Sequence, residues 1–273
     1  MEKGTIKLVK EIENVKIYTF MSPYEMFANT SHIIELPTQL IIVDGQFFAP
    51  YAQELKTFTN SLSKPVTRFY ISHEHPDHYI GFGDAFPDVD VYALKSVKEI
   101  IEKEGQDTLE QRQKQFGPII AQTLNVPKYV QEAATEIIDG ITFIFEESFD
   151  NESANSLVIK LPELNTYIAQ DIVYNNVHLF ISGETKGWKN ALNKIKNEED
   201  YDLILGGHGE ASDKSVVEKN LTYLEKVDAN IVEAKSKEEY KVALLKVYPN
   251  YAGVQFIDIY LTYHILNNNW VQQ

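Results

Sequence analysis

The chain contains no cysteine. That excludes disulfides, thiolate metal sites and a cysteine nucleophile. The first residues, Met1-Glu2-Lys3-Gly4-Thr5-Ile6-Lys7, hold no apolar signal core, and no apolar run is long enough to cross a bilayer. The expected location is the cytoplasm, with no membrane partner. Basic residues are scarce: 25 against 40 acids, for a net charge of -15. An acidic surface repels phosphate backbones, so nucleic acid is not an expected partner and nuclease activity is disfavoured. Low-complexity linkers, repeats and long runs of like charge are also missing. With 273 residues and 44% hydrophobic content, the expectation is one domain over residues 1–273, with a helical extension from about residue 210.

What is present alternates between short β-forming runs and helical patterns. Residues 5–9 and 15–21 read as a hairpin around Glu13-Asn14. Residues 31–36 and 39–43 read as strands, the second ending in Asp44-Gly45. Pro50 fits the first turn of a helix through Leu62. Residues 66–71 are β-branched and aromatic, hence a strand, and 89–94 another. Ser96 can cap a helix to Lys103. Residues 106–134 are polar and helical, broken at Gly117-Pro118 and Pro127. This is long for a connection, and it is expected to overhang the functional site with Phe116 and Tyr129 as wall residues. Residues 137–145 contain the turn Asp139-Gly140, and 156–161 pair with 166–169. Residues 187–196 are amphipathic helix, and 202–205 a short apolar strand. Helices are expected over 214–235, 237–247 and 253–266. Strands in bursts, with helices between and after, suit layered sheets covered by helices.

The chemistry gathers in Ser72-His73-Glu74-His75-Pro76-Asp77-His78. Three of the chain's seven histidines and the Asp77 carboxylate fall within six residues. Imidazole nitrogen and carboxylate oxygen are the ligands that zinc and other first-row metals prefer. Pro76 ends the preceding strand, so the ligands sit on a tight loop at its end. Four other positions share that placement. Asp44 ends a strand, and Asp171 follows the one over 166–169. His208 stands among Gly206, Gly207 and Gly209, which let the backbone bend and approach something closely. Glu152 precedes the strand over 156–161.

This set resembles the metallo-β-lactamase superfamily. His73-x-His75-x-Asp77-His78 matches its signature loop, Asp44 its first motif, Asp171 its bridging aspartate and Gly207-His208-Gly209 its late histidine motif. The resemblance implies an α/β (α+β) fold, a four-layer αββα sandwich with a C-terminal helical extension and two divalent metals at one edge. Zinc is implied first, with manganese or iron as alternatives. His73 and His75 would bind one metal; Asp77, His78 and His208 the other; Asp171 both. Asp44 would hold ligand imidazoles by hydrogen bonds. The family's third histidine on the first metal is missing. Setting residues 156–159 on the corresponding strand places Glu152 there. A carboxylate at that position is reminiscent of the alkylsulfatase branch, whose long extra domains this chain lacks.

The function implied is hydrolysis of an ester, lactone, thioester, sulfate or amide bond of a small molecule by hydroxide held between the metals. Asp77 would relay a proton to the leaving group. An iron-dependent oxidoreductase on the same fold is the alternative. A non-catalytic binding protein would have lost ligands, and only one position departs. Tyr79 and Tyr174 join Phe116 and Tyr129 as candidate pocket residues. Trp188 is expected in the core, His178 and His264 on the surface or in helices, and His32 outside the site.

Overall fold

The computed structural model describes residues 1–263. His264 and the end of the helix expected over 253–266 lie outside them. Strands β1 (Thr5–Ile12) and β2 (Val15–Met21) form the expected hairpin, with Glu13 in the left-handed region at φ 52°. β3 (Thr30–Glu35) and β4 (Leu40–Val43) continue it antiparallel. Leu40, Ile41, Ile42 and Val43 are all buried, as a central strand covered on both faces requires. Helix α1 (Ala49–Ser61) carries Pro50 in its first turn and buries Tyr51, Ala52 and Leu55. β5 (Val66–Ile71) then pairs parallel with β4. The short helix α2 (Pro76–Tyr79) follows, and β6 (Val91–Ala93) joins β5. Helix α3 (Lys95–Phe116) crosses to the two-residue edge strand β7 (Tyr129–Val130), completing a seven-stranded sheet.

The second sheet holds β8 (Ala134–Ile138), β9 (Ile141–Phe149), β10 (Asn155–Leu161), β11 (Thr166–Tyr174) and β12 (Leu203–His208), in the order β12-β11-β10-β9-β8. Asp139-Gly140 makes the β8–β9 turn. α4 (Thr185–Asn197) is the crossover that lets β12 run parallel to β11. Strand periodicity divides the apolar residues between two layers. Leu157, Ile159, Leu161 and Ile168 face the first sheet, in one cluster with residues of α1 and α3. Val158, Tyr167 and Ala169 face the other way, onto α4, α5 (Ser215–Glu233), α6 (Lys237–Val247) and α7 (Val254–Tyr263). α5 buries Val217, Leu221, Leu224 and Val227 at helical spacing. Each such side chain contributes about 1.5–3 kcal/mol of burial. The result is helix, sheet, sheet, helix: the four-layer sandwich.

Three expectations need correction. The helix expected to stop at Lys103 runs unbroken to Phe116. Gly105 does not end it, because the missing side chain lets α3 seat against Leu124, whose Cδ2 would stand 2.8 Å from a Cβ there. The helix stops at Gly117, at φ 68°, ahead of Pro118. Ser96 does not cap it: Leu94 is the N-cap residue and the Ser96 hydroxyl is buried without a partner. β11 does not end at Ala169 but continues through Asp171 to Tyr174 across a bulge, with Gln170 at φ 44°. Among the described residues, no helix is long and apolar enough to cross a membrane.

Candidate metal centre

β4, β5, β11 and β12 end together at one edge of the sandwich. Asp44 donates its N–H to Tyr70 O (2.8 Å), tying the ends of β4 and β5. Leu157 N donates to Ser72 O (2.8 Å), which anchors the root of the histidine loop to β10 in the other sheet. Pro76 occupies the first turn of α2, where its missing N–H costs nothing, and His75 is the extended N-cap residue. That one turn swings Asp77 and His78 back over the strand end. Gly207 makes the approach of β12 possible: a Cβ there would stand 1.7 Å from Asp171 Oδ1. Gly209 takes φ 89°, a left-handed value that side chains disfavour. Glu152 sits at the tip of the tight β9–β10 connection, closed by Asp150 N to Ala154 O (3.0 Å) and Asn151 N to Ser153 O (3.0 Å). The loop turns Glu152 inward, where it is 1% exposed.

The side chains converge in three overlapping groups. Two share Asp171: His73, His75, Glu152 and Asp171 form one, and Asp77, His78, Asp171 and His208 the other; the third is Asp44, His73 and His78. His75 Nδ1 is 3.0 Å from Glu152 Oε1, and His73 Nε2 is 3.5 Å from Glu152 Oε2 and 3.8 Å from Asp171 Oδ2. In the second group, His78 Nε2 stands 3.2 Å from Asp171 Oδ1 and 3.5 Å from Asp77 Oδ2. His208 Nε2 lies 3.2 Å from both Asp77 Oδ2 and Asp171 Oδ2. Asp171 belongs to both of these groups.

Hydrogen bonds around the groups fix which nitrogen three of the four rings present. His78 Nδ1 faces Asp44 Oδ2 (2.8 Å) and His208 Nδ1 faces Phe27 O (2.8 Å). A carboxylate and a carbonyl oxygen accept, so both Nδ1 atoms are donors and both Nε2 atoms point at the site. Ser72 Oγ donates to Asp44 Oδ2 (2.6 Å), so it accepts from His73 Nδ1 (2.8 Å), with the same outcome. Asp44 therefore holds His78 directly and His73 through Ser72. It also accepts from Ser72 N (2.7 Å) and Gln170 Nε2. Tyr174 OH donates to Asp171 Oδ2 (2.7 Å).

The charges are strongly coupled. Burial works against the charged form of His208, but Asp171 and Asp77 raise it to about 10. His78 is likewise raised well above its ordinary value by Asp171, Asp77 and Asp44 against burial. His75, despite burial, is raised to about 9 by Glu152. Burial raises Glu152 to about 7 although His75 pulls the other way. His73 moves down, through burial and the neighbouring His78. Asp171 and Asp77 move down because the histidine charges outweigh burial. The donors fit a divalent cation. His73 Nε2, His78 Nε2, His208 Nε2, Asp171 Oδ1 and both Glu152 oxygens are buried with no hydrogen-bond partner. A buried polar group left so costs about 1–3 kcal/mol, and metal coordination removes that cost.

A cavity of about 570 Å³ opens above the groups. Phe116 and Tyr174 line it, as do Phe27, Phe47, Phe180 and Phe256. Tyr79 and Tyr129 do not. Tyr79 is 3% exposed and packs behind the loop within the first cluster, since α2 turns its side chain away from the ligands. Tyr129 belongs to edge strand β7, stacked on Tyr92 at 4.9 Å. Of residues 106–134, only the last turns of α3 (Gln111, Arg112, Gln115, Phe116) reach the cavity. His178 is not a surface residue: it is fully buried, with Nδ1 2.9 Å from Tyr223 OH. Burial lowers it to about 4. His32 is buried outside all three groups, its Nε2 3.1 Å from Gly206 O. Trp188 is core, donating to Ile172 O (2.8 Å). Ser72 and Gln170, as partners of Asp44, and Phe256, from the far end of the chain, were not singled out from sequence. Only Ser72 offered a signal, by adjacency to His73.

No family model matches the chain. A curated alkyl/aryl-sulfatase, BDS1 of Saccharomyces cerevisiae, is 26% identical over 183 residues, 54% of this chain and 28% of the relative. The chain thus aligns with little more than a quarter of that protein. Among solved structures, a metallo-β-lactamase from Pontibacter korlensis superposes with TM-score 0.64 at 18% identity, covering 81% of this chain and 99% of that one. The DIM-1 metallo-β-lactamase gives 0.62 at 16% identity, with 82% and 97% covered. FIM-1 of Pseudomonas aeruginosa, solved in a mono-zinc form, gives 0.61 at 16%, with 82% and 96% covered. At such identities the likeness speaks for architecture, and the architecture of this chain is the metallo-β-lactamase fold.

Proposed function

We propose that this chain is a metal-dependent hydrolase that cleaves an ester, lactone, thioester, sulfate or amide bond of a small molecule with two divalent ions. The observation that carries this reading is the set of buried, unpartnered nitrogen and oxygen atoms in two ligand groups joined through Asp171. His73, His75, Glu152 and Asp171 would hold one ion, and Asp77, His78, Asp171 and His208 the other. Two such ions supply a water of lowered pKa and polarise the bond attacked. Asp44 keeps the Nε2 of His73 and His78 turned to the site, and Phe27 O does so for His208. Asp77 lines the cavity and is 19% exposed, against 1–2% for Glu152 and Asp171. It is the carboxylate best placed to pass a proton to a leaving group. The aromatic walls exclude water and fit an apolar substrate body.

The yeast sulfatase that aligns with part of the chain supports including sulfate esters among the substrates. The all-nitrogen-and-oxygen donor set also suits iron, which supports an iron-dependent oxidoreductase as second reading. The deciding experiment incubates metal-loaded protein with a panel of esters, lactones, thioesters, sulfates and β-lactams, and records its metal content and absorption spectrum. Hydrolysis of at least one class, lost in His73→Ala, is expected. No turnover of any class by fully loaded protein, with an iron absorption band instead, would overturn the reading.

A further inference from the structure

The chain has two arginines. Arg68 is paired with Glu136 (2.8 Å) and lies over Tyr92. Arg112 has no carboxylate partner among the described residues and lines the cavity above the ligand groups. Its Nη1 donates to Gln115 Oε1 (2.8 Å), and its Nε is buried with no partner. A helix-stabilising role would be met by the Gln115 bond alone. A guanidinium that lines an open cavity with no carboxylate beside it instead leaves a positive charge for a ligand. Gln111, Arg112, Gln115 and Phe116 share one face of α3, since residues three and four apart stack along a helix. The face presents one cation flanked by two amides. The only other titratable nitrogens among the described cavity residues are His75 and His208, which belong to the ligand groups.

A chain of rings connects the ligand groups to α3. His208 meets Phe256 at 5.0 Å between centroids, Phe256 meets Phe27 at 5.2 Å, Phe27 meets Phe47 at 5.8 Å, and Phe47 meets Phe116 at 5.5 Å. The wall therefore runs from a metal-ligand candidate to α3, one turn from Arg112. We propose that Arg112 is the specificity-determining residue of this site, selecting substrates with an apolar body and an oxyanion remote from the bond that is cleaved. A guanidinium takes a carboxylate or similar oxyanion in a two-point, charge-assisted contact. In an apolar setting that contact discriminates strongly against a neutral analogue. The chain's overall charge of -15 would otherwise repel such a ligand.

The inference rests on the metal-dependent reading for which end of the substrate is held at the ligand groups. Its test uses non-hydrolysable ligands, so the two can fail separately. Straight-chain α,ω-dicarboxylates of four to twelve carbons are titrated calorimetrically into metal-loaded protein, each against the monocarboxylate of equal length. One carboxylate engages the metal centre and the second reports on Arg112. At a matching length the dicarboxylate should bind about tenfold more tightly, the scale of one charge-assisted contact. Arg112→Gln should abolish that preference and Arg112→Lys restore part of it, with circular dichroism unchanged. A preference absent at every length, or persisting in Arg112→Gln, would overturn the proposal. Preference without turnover of any substrate would sink the hydrolase reading and leave Arg112 standing; turnover without preference would do the reverse.

Discussion

Replacing Asp44 by Asn changes one oxygen to an amide nitrogen and should cripple the metal centre from a distance. Asp44 is fully buried and accepts from Ser72 N, Ser72 Oγ, His78 Nδ1 and Gln170 Nε2. Its φ of 59° is left-handed, a conformation that Asn tolerates, so the backbone is preserved. An amide keeps one acceptor but turns an NH₂ toward donors. His78 then either loses its partner or moves its proton to Nε2, the atom that should bind metal. Each hydrogen bond to a charged acceptor so lost costs about 1.5–3 kcal/mol of stability. The loss of ring orientation should lower affinity for the ion held by His78 about 10–100-fold. The ion held by His73 should suffer less, because Asp44 reaches that ring only through Ser72. Chelator competition measures the two affinities, and urea unfolding in excess chelator isolates the metal-free stability. Wild-type affinity at both sites in Asp44→Asn would refute the reasoning.

Glu152→Ala should lose one of two metals after dialysis against a weak chelator, with circular dichroism intact; retention of both metals and of activity would remove Glu152 from the ligand set. Glu152→His removes a negative charge from the site, so the pH at which activity rises should fall relative to the wild type, and an unchanged or higher onset would contradict the charge argument. His32 and His178 are each held at about 4 by burial, so stability is full above the unfolded value of 6.5 and is lost as pH falls toward 4. Each ring should cost about 2 kcal/mol between pH 7 and pH 5, and a His178→Gln variant whose urea midpoint drops as much as the wild type's would count against this. Gly207→Ala should abolish metal binding, since its Cβ would collide with the Asp171 carboxylate; normal metal content in that variant would show that β12 can shift at no cost.

The fold was legible where sequence patterns are local. β5 and α6 fall over the expected residues because each is bounded by its own turn or cap signals. The histidine loop was legible for the same reason: its ligands are consecutive and Pro76 dictates their turn. Asp171, His208 and Glu152 were picked out by their placement at strand ends and given roles by family order, because strand pairing, which sequence does not display, brings them together. What lay hidden depends on contacts across long separations. Phe256 enters the cavity from α7 because the second apolar layer draws that helix against β11. His178 was expected on the surface or in a helix, yet Tyr223 on α5 supplies the partner that allows burial. Tyr79 misled because nearness to a motif in sequence says nothing about side-chain direction, and Tyr129 because the end of its stretch returns to the sheet edge as β7.

The central claim is that two ions share Asp171. Crystals soaked in zinc or manganese and measured at the metal's absorption edge test it most directly. The account predicts two anomalous peaks about 3.5–4 Å apart, one within reach of His73, His75 and Glu152, the other of Asp77, His78 and His208, with the Asp171 carboxylate between them. A single peak at saturating metal, or two peaks of which neither touches Asp171, would contradict it.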